Sequence, residues 1–522
     1  MANVQTIIEQ WPPSLDEAQV EALSRLATTW ALAHGLLYLP VLSPQPSVPA
    51  AAIHAPISLF PSPFPRKLFN QAKRIQRTYN VLYSRIAMDT KFLDSVMGSE
   101  EGVGKVDEFT GQLWRGWKAL RDETVQPLHL GIFRSDYLLH SSEAKDLSLK
   151  QVEFNTISSS FGCLSQRAAA MHRYLQQSNQ YLKASEHLKL DNFPSNETTG
   201  GIASGLAAAH KAYGKPEAHI LFVVQGGERN VFDQSWLEYE LLENHGIHVI
   251  RQTLEQLATS ASVDESKALR ITLTPSSISS PFEISTVYFR AGYTPADYPT
   301  QTHYDTRFLL ERSSAIKCPT IPLQLAGGKK VQEVLTQPGV LDRFLDDATR
   351  ADAAELRASW MGMWGLDAAE DGLSAATVPT ADPAAAPTAE PHGVLRAREQ
   401  FARLVLKPQR EGGGNNVYKE SIPAFLDTLP PAERAAWIAM ELIEPPAGVG
   451  NYLVRSGGGP AVRAEVVSEL GIFGWSLFGG GKVAEEREVG WLLRTKGKDS
   501  NEGGVAAGFS VLDSVLLVGD AE

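Results

Sequence analysis

The sequence predicts a mixed α/β fold made of more than one packed unit. Between residues 217 and 327, three apolar runs (HILFVVQGG, HGIHVIRQ and ISTVYFRAGY) alternate with stretches of helical character. This alternation is typical of an α/β unit with a largely parallel sheet. In the C-terminal part, short apolar runs are joined by glycine-rich loops, which favours a mixed sheet. A chain of 522 residues is also too long for one simple core.

The N-terminal part predicts two long helices separated by a loop. Ser14 and Glu17 form a capping-box pattern before an apolar periodicity, and the helix that they begin is expected to end at Gly35. Residues 40–66 contain many prolines and predict a long ordered loop. Residues 67–97 predict a single helix with one side facing the core.

Two strands are predicted after these helices, from the runs GIFRSDYLL and LSLKQVEFNTI. Because side chains alternate along a strand, Val152 and Phe154 are expected to face one way. The residues expected on the opposite face are Gln151, Glu153 and Asn155. The acid and the amide of this second group can therefore point together into one cleft.

Composition argues against several classes of protein. The net charge of −12 disfavours broad binding of nucleic acids or anionic membranes, which requires an excess of Lys and Arg. No apolar stretch reaches the roughly 18 residues of a transmembrane helix, and the first residues lack the pattern of a signal peptide. Two cysteines, Cys163 and Cys318, are too few for a disulfide framework. These features predict a cytoplasmic location without nucleic-acid or membrane partners.

Residues 367–392 form a segment rich in Ala, Pro and Thr. The segment holds no large aromatic residue, so it cannot build a core and is predicted to be a disordered surface loop. No catalytic role is assigned to it.

The strongest chemical signal is the run KPQREGGGNNVY at residues 407–418. On the preceding strand, Lys407 is expected to face a cleft, on the side opposite to Leu404 and Leu406. Three consecutive glycines let backbone N–H groups approach a phosphate closely, and Glu411 offers the oxygen ligands that Mg²⁺ prefers. A surface turn is the alternative, because glycine triplets are common in loops. The convergence of Lys, Arg, Glu, Gly and Asn favours a phosphate-binding loop that can close as a lid.

This run closely resembles the glycine-rich ATP loop of eukaryotic-type glutathione synthetases, a family of ATP-grasp ligases. Further matching blocks extend over most of the chain: FRSDYLLH (133–140), QVEFNTISSSFG (151–162), ERNVFDQ (228–234), VYFRAGY (287–293), ERSSAIKCP (311–319), LAGGKK (325–330), SELGIFG (468–474) and LLRTKG with EGGVAAG (492–508). So many blocks in one order are highly specific for the family. Cys163 and Lys419 depart from its pattern, since both stand where the family commonly has glycine.

The resemblance implies an ATP-grasp fold with an inserted α/β substrate-binding domain. Residues 1–216 would form the N-terminal part of the ATP-grasp body, residues 217–327 the inserted domain, and residues 328–522 the C-terminal part with the glycine-rich lid. A homodimer is implied as well. The implied reaction joins γ-glutamylcysteine to glycine through an acyl phosphate and gives glutathione, ADP and phosphate.

The resemblance also assigns roles to individual residues. Those implied to be catalytic are Arg134, Lys407 and Arg494, and those implied to hold Mg²⁺, with two ions expected, are Glu153, Asn155 and Glu411. The residues implied to bind γ-glutamylcysteine are Arg134, Ser158, Ser159, Ser160, Glu228, Asn230, Gln234, Arg290, Tyr293, Arg494, Val505 and Ala506. The residues implied to bind the co-substrate ATP are Glu153, Lys329, Lys407, Glu411, Gly412, Gly413, Gly414, Asn415, Asn416, Tyr418, Met440, Glu441, Ile443, Glu469, Lys496 and Glu502.

The acceptor amine is predicted from one segment. Val505 and Ala506 are small, whereas relatives that prefer β-alanine carry bulkier residues there, so the segment favours glycine. Two alternatives stay open: a related ATP-grasp peptide ligase that uses another amine, such as β-alanine or serine, and a nucleotide-binding scaffold without turnover. Retention of each predicted Mg²⁺ and phosphate residue argues against the scaffold.

Overall fold

The structure is a computed structural model that describes most of the chain. The described residues are 4–40, 51–142, 144, 146–181, 183–273, 281–369, 390–411, 414–500, 505, 508 and 510–519. Residues 41–50 of the predicted loop at 40–66 and residues 370–389 of the segment at 367–392 therefore lie outside the described residues. So do four predicted site residues, which are Gly412, Gly413, Glu502 and Ala506.

The prediction of a loop is wrong for the rest of 40–66, which holds the short strands Ile53–His54, Ile57–Ser58 and Ser62–Pro65. The last two of these strands pair with strands of the C-terminal part, which are too remote in sequence to be foreseen.

Helices and strands alternate irregularly in the N-terminal part. The helices are α1 (Val4–Glu9), α2 (Glu17–Ala33), α3 (Arg66–Met88), α4 (Thr90–Met97), α5 (Glu108–Leu120), α6 (Gly162–Gln177) and α7 (Thr198–Tyr213). The strands are β1 (Leu37–Tyr38), β2 (Ile53–His54), β3 (Ile57–Ser58), β4 (Ser62–Pro65), β5 (Leu128–Ser141) and β6 (Leu147–Asn155).

The middle of the chain alternates strands with helices, as predicted. Its strands are β7 (His219–Val223), β8 (Val249–Gln252), β9 (Ala261–Val263), β10 (Leu269–Ile271), β11 (Phe282–Phe289) and β12 (Ile316–Cys318). Its helices are α8 (Val231–His245), α9 (Leu254–Ser260), α10 (Gln301–Glu311) and α11 (Ile321–Ala326).

The C-terminal part is rich in strands, which also confirms the prediction. Its helices are α12 (Lys329–Leu335), α13 (Ala353–Ser359), α14 (His392–Gln400) and α15 (Ser421–Thr428). Its strands are β13 (Met363–Gly365), β14 (Leu404–Pro408), β15 (Val417–Tyr418), β16 (Trp437–Glu441), β17 (Gly450–Val454), β18 (Val462–Gly479), β19 (Lys482–Gly497), β20 (Ser510–Asp513) and β21 (Val515–Val518).

One large sheet holds thirteen of the described strands. Its main order is β17-β3-β20-β19-β18-β5-β12-β11-β10-β9, with β6 paired to β5, and with β7 paired to β11 and β8. Strands β8, β7, β11 and β12 run parallel to one another, which confirms the predicted, largely parallel sheet in the middle of the chain, and β10 pairs with β11 antiparallel. Strand β12 continues the sheet by pairing with β5 at Lys317 and His129. The proposed substrate-binding unit therefore shares its sheet with the rest of the chain.

A second sheet of four strands, in the order β13-β16-β14-β15, carries the glycine-rich run. Leu404 and Leu406 on β14 belong to a small apolar cluster, whereas Val405 between them packs into the main core. This confirms the predicted alternation, which leaves Lys407 on the same side as Val405. The two sheets thus meet across the face of β14 that bears Lys407.

Two N-terminal predictions are wrong in detail. The capping box before α2 is formed by Asp16 and Gln19, not by Ser14 and Glu17, because Asp16 accepts from the backbone N–H of Gln19 at 2.8 Å. The helix predicted over 67–97 is divided at Asp89, which ends α3 and caps α4 by accepting from the N–H of Phe92 at 3.0 Å. In both cases the carboxylate of an aspartate accepts from a free N–H group at the start of a helix and so sets where that helix begins.

A β-bulge in β6 overturns one further prediction. Asp136 on β5 lies opposite Glu153, but the next residue, Tyr137, lies opposite Gln151, so Val152 has no partner in the pairing. Glu153 and Gln151 therefore lie on opposite faces of the sheet.

The interactions of Gln151 agree with this reversal. Its amide nitrogen donates to the Ser135 hydroxyl at 2.7 Å, and its oxygen accepts from the Trp360 indole at 3.2 Å. The prediction that Gln151 shares a face with the acid and amide that follow it is wrong, because the alternation on which it rested ends at the bulge.

Among the described residues, the structure contains no helix that could span a lipid bilayer.

Two glycines of α7 allow a direct test of how this helix packs on the large sheet. A methyl group at Gly205 would lie 2.7 Å from the ring of Trp475 on β18, whereas one at Gly200 would meet only Glu240, at 3.4 Å. We expect Gly205→Ala to lower the free energy of unfolding by about 1–3 kcal/mol through overpacking. Gly200→Ala, the matched control, should leave it unchanged or raise it by up to about 1 kcal/mol. Urea denaturation of both variants measures the difference, and equal stabilities would contradict the described packing.

Candidate active site

Three charged side chains from distant parts of the chain meet where the two sheets approach each other. Lys329, the first residue of α12, places its ammonium 3.0 Å from Oε2 of Glu153 and 3.1 Å from Oε1 of Glu411. The first carboxylate belongs to β6 and the second follows β14. A buried ammonium requires such partners, and Lys329 is only 4% exposed. The structure therefore brings Glu153 and Glu411 together around one cation.

The bulge in β6 provides an anchor for a second lysine. The ammonium of Lys407 on β14 donates to the carbonyl oxygen of Val152 at 2.8 Å. Val152 has no partner across β5, so its carbonyl is available to a side chain from the other sheet. This hydrogen bond holds the Lys407 ammonium beside Glu153, the next residue along β6.

The electrostatics of this group are dominated by burial and by close opposite charges. Burial alone would raise the pKa of Glu153, but Lys329 and Lys407 lower it to about 2. Burial raises the pKa of Glu411, although the Lys329 ammonium opposes this. Burial lowers the pKa of Lys407 to about 8, while the two carboxylates raise that of Lys329 in spite of its burial. At neutral pH the group holds two cations that can meet an anionic ligand.

Asp136 connects the two arginines that were predicted to be catalytic. Arg134 donates to both of its carboxylate oxygens, at 2.6 and 2.8 Å, and the amide nitrogen of Asn155 donates to Oδ2 at 3.0 Å. Arg494 on β19 lies 3.3 Å from the same oxygen. Asp136 is 1% exposed, so its charge is shared among these three donors alone within the described residues. It fixes both guanidinium groups beside Asn155.

Arg494 is held from its other side by Glu469, which lies directly opposite it in the β18–β19 pairing. Burial raises the pKa of the Glu469 carboxyl in spite of this partner. The carboxylate of Glu469, which the resemblance implies to bind ATP, is thus a partner of the Arg494 guanidinium.

The serine-rich loop before α6 adopts a strained backbone. Ser158 and Phe161 have positive φ angles of 51° and 70°, values that non-glycine residues rarely take. Asp233 on α8 holds the loop in place by accepting from the N–H groups of Phe161 and Cys163 at 2.9 and 3.0 Å. The strain is thus sustained by a buried carboxylate on a neighbouring helix.

Arg290 joins this loop to the end of β11. Its Nη2 donates to the hydroxyl of Ser160 at 2.9 Å and to Asp233 at 3.2 Å, and its backbone carbonyl accepts from Ser158 at 3.1 Å. The side chain is 2% exposed, and its Nε and Nη1 have no hydrogen-bond partner among the described residues. Two donors of a buried guanidinium are therefore free for a ligand.

The loop that begins α8 brings a further carboxylate to Arg290. Glu228 accepts from the N–H of Asn230 at 2.7 Å and from the side chain of Gln234 at 3.3 Å. Tyr293 lies nearby and accepts from Gln225 at 3.3 Å. The predicted donor-substrate residues of three separate segments therefore surround one region.

A small cleft opens beside the Lys329–Glu411 pair. Its charged and polar wall includes Lys329, Glu411 and Tyr293, and its apolar wall includes Phe109 and Leu113 of α5. The root of the glycine-rich run forms one edge, where Arg410 pairs with Asp107, the N-cap of α5. The cleft can receive a ligand that carries both charged and apolar groups.

The remaining predicted nucleotide residues lie on or near the small sheet. Met440 pairs with Val405 across β14 and β16 and so shares the face of Lys407, and Glu441 ends β16 just before Ile443. The side chain of Asn416 donates to the hydroxyl of Tyr418 at 3.3 Å. Gly414 has a φ of 91° and precedes Asn415, and Lys496 on β19 pairs with Val467 on β18 and Ser510 on β20. Two residues predicted to bind γ-glutamylcysteine are buried: Ser159 lies beside Ile132, and Val505 lies in the core.

Sequence reasoning missed three residues that organise this region. Asp136 and Asp233 orient the predicted arginines, and Gln409 ties the glycine-rich run to α12 by accepting from the N–H of Lys330 at 3.1 Å. Asp136 could have been found, because it lies two residues from Arg134 on one strand face. The contacts of Asp233 depend on the approach of α8 to α6, for which the sequence carries no local signal.

Comparisons with known proteins agree with this architecture. The family model described as eukaryotic glutathione synthase, ATP binding domain, matches residues 17–517. The glutathione synthetase of Bos taurus is 40% identical over 501 residues, covering 96% of this chain and 97% of the relative. The glutathione synthetase large chain of Schizosaccharomyces pombe is 35% identical over 536 residues, covering 98% and 99%.

A solved structure shows the same fold. It is a glutathione synthetase-like effector from Globodera pallida in its apo form, with a TM-score of 0.72, 25% identity, and coverage of 97% of this chain and 98% of the effector. Fold and matches together define an ATP-dependent ligase of the ATP-grasp class. The chain belongs to the eukaryotic glutathione synthase family.

The pKa of Lys407 leads to a pH prediction. A group whose pKa is lowered to about 8 loses its positive charge as the pH rises through that value, so kcat/KM for ATP should fall above about pH 8. In Lys407→Arg the guanidinium stays charged, and the fall should move to higher pH. The measurement is the pH profile of kcat/KM for ATP with the other substrates saturating. Superimposable profiles for the two proteins would exclude Lys407 as the titrating group.

Proposed function

We propose that this chain joins γ-glutamylcysteine to glycine at the expense of ATP, giving glutathione, ADP and phosphate. The observation that carries the proposal is the meeting of Glu153, Lys329 and Glu411 between the two sheets. Beside them stands a pair of arginines on one buried aspartate. Such an arrangement suits a carboxylate that receives a phosphoryl group and is then attacked by an amine.

The first chemical step transfers the γ-phosphoryl group of ATP to the cysteinyl carboxylate of γ-glutamylcysteine. A bond forms between phosphorus and a carboxylate oxygen, the bond to the β-phosphate oxygen breaks, and ADP leaves. Lys329 and Lys407 bind the phosphate oxygens and offset the charge that spreads over them. The low polarity around the buried ammonium groups strengthens these contacts.

The second step is attack of the glycine amine on the acyl phosphate. A carbon–nitrogen bond forms, the carbon–oxygen bond to phosphate breaks, the nitrogen loses a proton, and inorganic phosphate departs. Arg134 and Arg494 stabilise the oxyanion that develops on the carbonyl oxygen, and Asp136 keeps both guanidinium groups in place. The small side chain at Val505 leaves room for glycine.

Magnesium fits the donor atoms at the centre of the site. The amide nitrogen of Asn155 is bound to Asp136, so its oxygen is directed away from that contact and can join Glu153 and Glu411 as a hard ligand. Within the described residues, no three His, Cys, Asp or Glu side chains form a group of their own that could hold a metal. The two carboxylates and the amide would therefore share the ions with triphosphate oxygens. Bound there, Mg²⁺ would neutralise the triphosphate and leave the Lys329 ammonium to the phosphates.

The proposal extends to the organisation of the protein. Residues 1–216 and 328–522 form the ATP-grasp body, residues 217–327 form the substrate-binding domain, and the protein is a cytoplasmic homodimer. The two boundaries fall between α7 and β7 and between α11 and α12, where neither breaks a helix or strand. Residues 367–392 have no role in catalysis, although Asp367 at the start of that segment is tied to Lys330 at 2.9 Å.

A substrate-omission assay tests the function. Phosphate release should require ATP, Mg²⁺, γ-glutamylcysteine and glycine together, and the product should have the mass of glutathione. Faster turnover with β-alanine or serine than with glycine would identify a related peptide ligase. Binding of ATP without phosphate release under any of these conditions would identify a scaffold.

A substitution tests the role of the charged centre. Glu153→Ala should lower kcat by about 100-fold or more, because it removes a carboxylate that faces the metal and the lysines. Glu485→Ala is the control, since Glu485 is exposed and pairs only with Arg487 among the described residues. Unchanged thermal unfolding would show that both variants fold. Full activity of Glu153→Ala would refute the assignment of this centre.

A further inference from the structure

Tyr38 on β1 is a buried residue beside the candidate substrate site. It is 1% exposed, and its hydroxyl has no hydrogen-bond partner among the described residues. A buried hydroxyl without a partner costs free energy, so such groups are rare in native structures unless they await a ligand or a water. The Tyr38 hydroxyl therefore requires a partner that the described residues do not supply.

The chain fixes Tyr38 against the loop that carries Glu228 and Asn230. Leu39 donates to the carbonyl of Arg229 at 3.0 Å, and Arg229 Nε donates back to the carbonyl of Leu39 at 3.1 Å. Behind this pair, the Trp236 indole donates to the carbonyl of Gly35 at 3.1 Å. Three hydrogen bonds thus fasten the segment before β2 to the start of α8.

The ring of Tyr38 is also held firmly. It stacks on Phe161 of the strained serine loop at 6.4 Å, and the guanidinium of Arg229 lies over it at 4.8 Å. Both contacts use the ring rather than the hydroxyl. The hydroxyl is therefore positioned by its neighbours without being occupied by them.

The charges around the hydroxyl belong to the candidate substrate site. Burial raises the pKa of Tyr38, Arg229 lowers it, and the carboxylates of Glu228 and Asp233 raise it further. The net pKa is raised, so the hydroxyl stays protonated and can donate a hydrogen bond at neutral pH.

The unpartnered atoms in this region form a complementary set. Asn230 Oδ1 is a buried acceptor without a partner, and Arg290 Nε and Nη1 are buried donors without one. Together with Tyr38 they offer donors for a carboxylate, while Asn230 and the nearby Glu228 suit an ammonium. This is the pattern of an amino-acid zwitterion, which is the free end of a γ-glutamyl group.

We propose that the Tyr38 hydroxyl donates a hydrogen bond to the α-carboxylate of the γ-glutamyl group and so helps to select the donor substrate. The inference rests on the proposed function, because it takes γ-glutamylcysteine as the donor. It adds the short strand β1 to a site otherwise built from the serine loop, α8 and β11. Tyr38 is a binding residue, remote from the reacting carboxylate at the opposite end of the dipeptide.

The test compares the wild-type protein with Tyr38→Phe, which keeps the ring and its two contacts. The variant should raise KM for γ-glutamylcysteine about tenfold and leave KM for ATP and glycine within about twofold. Its thermal unfolding temperature should not fall, because an unpaired buried hydroxyl is removed. A uniform loss of activity or a lower unfolding temperature would mean a structural role and would overturn the proposal.

A substrate analogue makes the test specific. In γ-aminobutyrylcysteine the α-carboxylate is absent, so wild type and Tyr38→Phe should bind it equally weakly in calorimetric titrations. A tenfold difference that persists with this analogue would overturn the assignment to the carboxylate. Tyr174→Phe is the control, since Tyr174 is an exposed tyrosine of α6 that belongs to no proposed site. An equal rise in donor KM in that variant would show that the effect is not particular to Tyr38.

The same assays separate the two proposals. A wild-type protein that releases no phosphate with γ-glutamylcysteine would refute the proposed function and this inference together. An active wild type with an unchanged donor KM in Tyr38→Phe would refute the inference alone.

Discussion

A single buried ammonium group holds together parts of the chain that are far apart in sequence. Lys329 lies between Glu153, which belongs to the large sheet, and Glu411, which follows β14 of the small sheet. Removal of either carboxylate would leave charge in a poorly solvated place, which is costly. The N-terminus of α12, the end of β6 and the root of the glycine-rich run are therefore constrained to meet. The other side chains of the candidate site are positioned around the Lys329 ammonium.

Two sets of hydrogen bonds connect this centre to the rest of the site. Lys407 donates to the carbonyl of Val152 at the β6 bulge, and Asn155, three residues on, donates to Asp136. Asp136 in turn orients Arg134 and thereby the serine loop, because Arg134 also donates to the carbonyl of Ser160 at 3.2 Å. The groups proposed to bind phosphate and those proposed to bind the donor are thus connected through buried hydrogen bonds, which fix their relative positions.

Much of this could be predicted from the sequence, because local periodicity fixes which face a side chain takes. The alternation along β14 placed Lys407 opposite Leu404 and Leu406, and the alternating strands and helices of 217–327 indicated the parallel sheet. The position of Gln151 could not be predicted, because a bulge reverses the alternation and has no sequence signature here.

Other features escaped prediction because their partners are remote in sequence. Asp233 accepts hydrogen bonds from a loop about seventy residues away, and Tyr38 approaches the candidate substrate site only because the segment of β1 packs on the start of α8.

Lys419 shows a departure from the family pattern that the backbone accommodates. It stands where the family commonly has glycine, and its φ of 45° lies in the left-handed region that glycine adopts freely. The backbone thus keeps the glycine-like turn while the side chain has changed.

The most direct test of the shared charge centre is a crystal structure of the protein with Mn²⁺, a non-hydrolysable ATP analogue and γ-glutamylcysteine. Anomalous scattering locates the metal independently of the protein density. The account predicts a manganese peak within direct coordination distance of both Glu153 and Glu411, with the Lys329 ammonium on the triphosphate. A metal bound elsewhere, with Lys329 still bridging the two carboxylates, would contradict it.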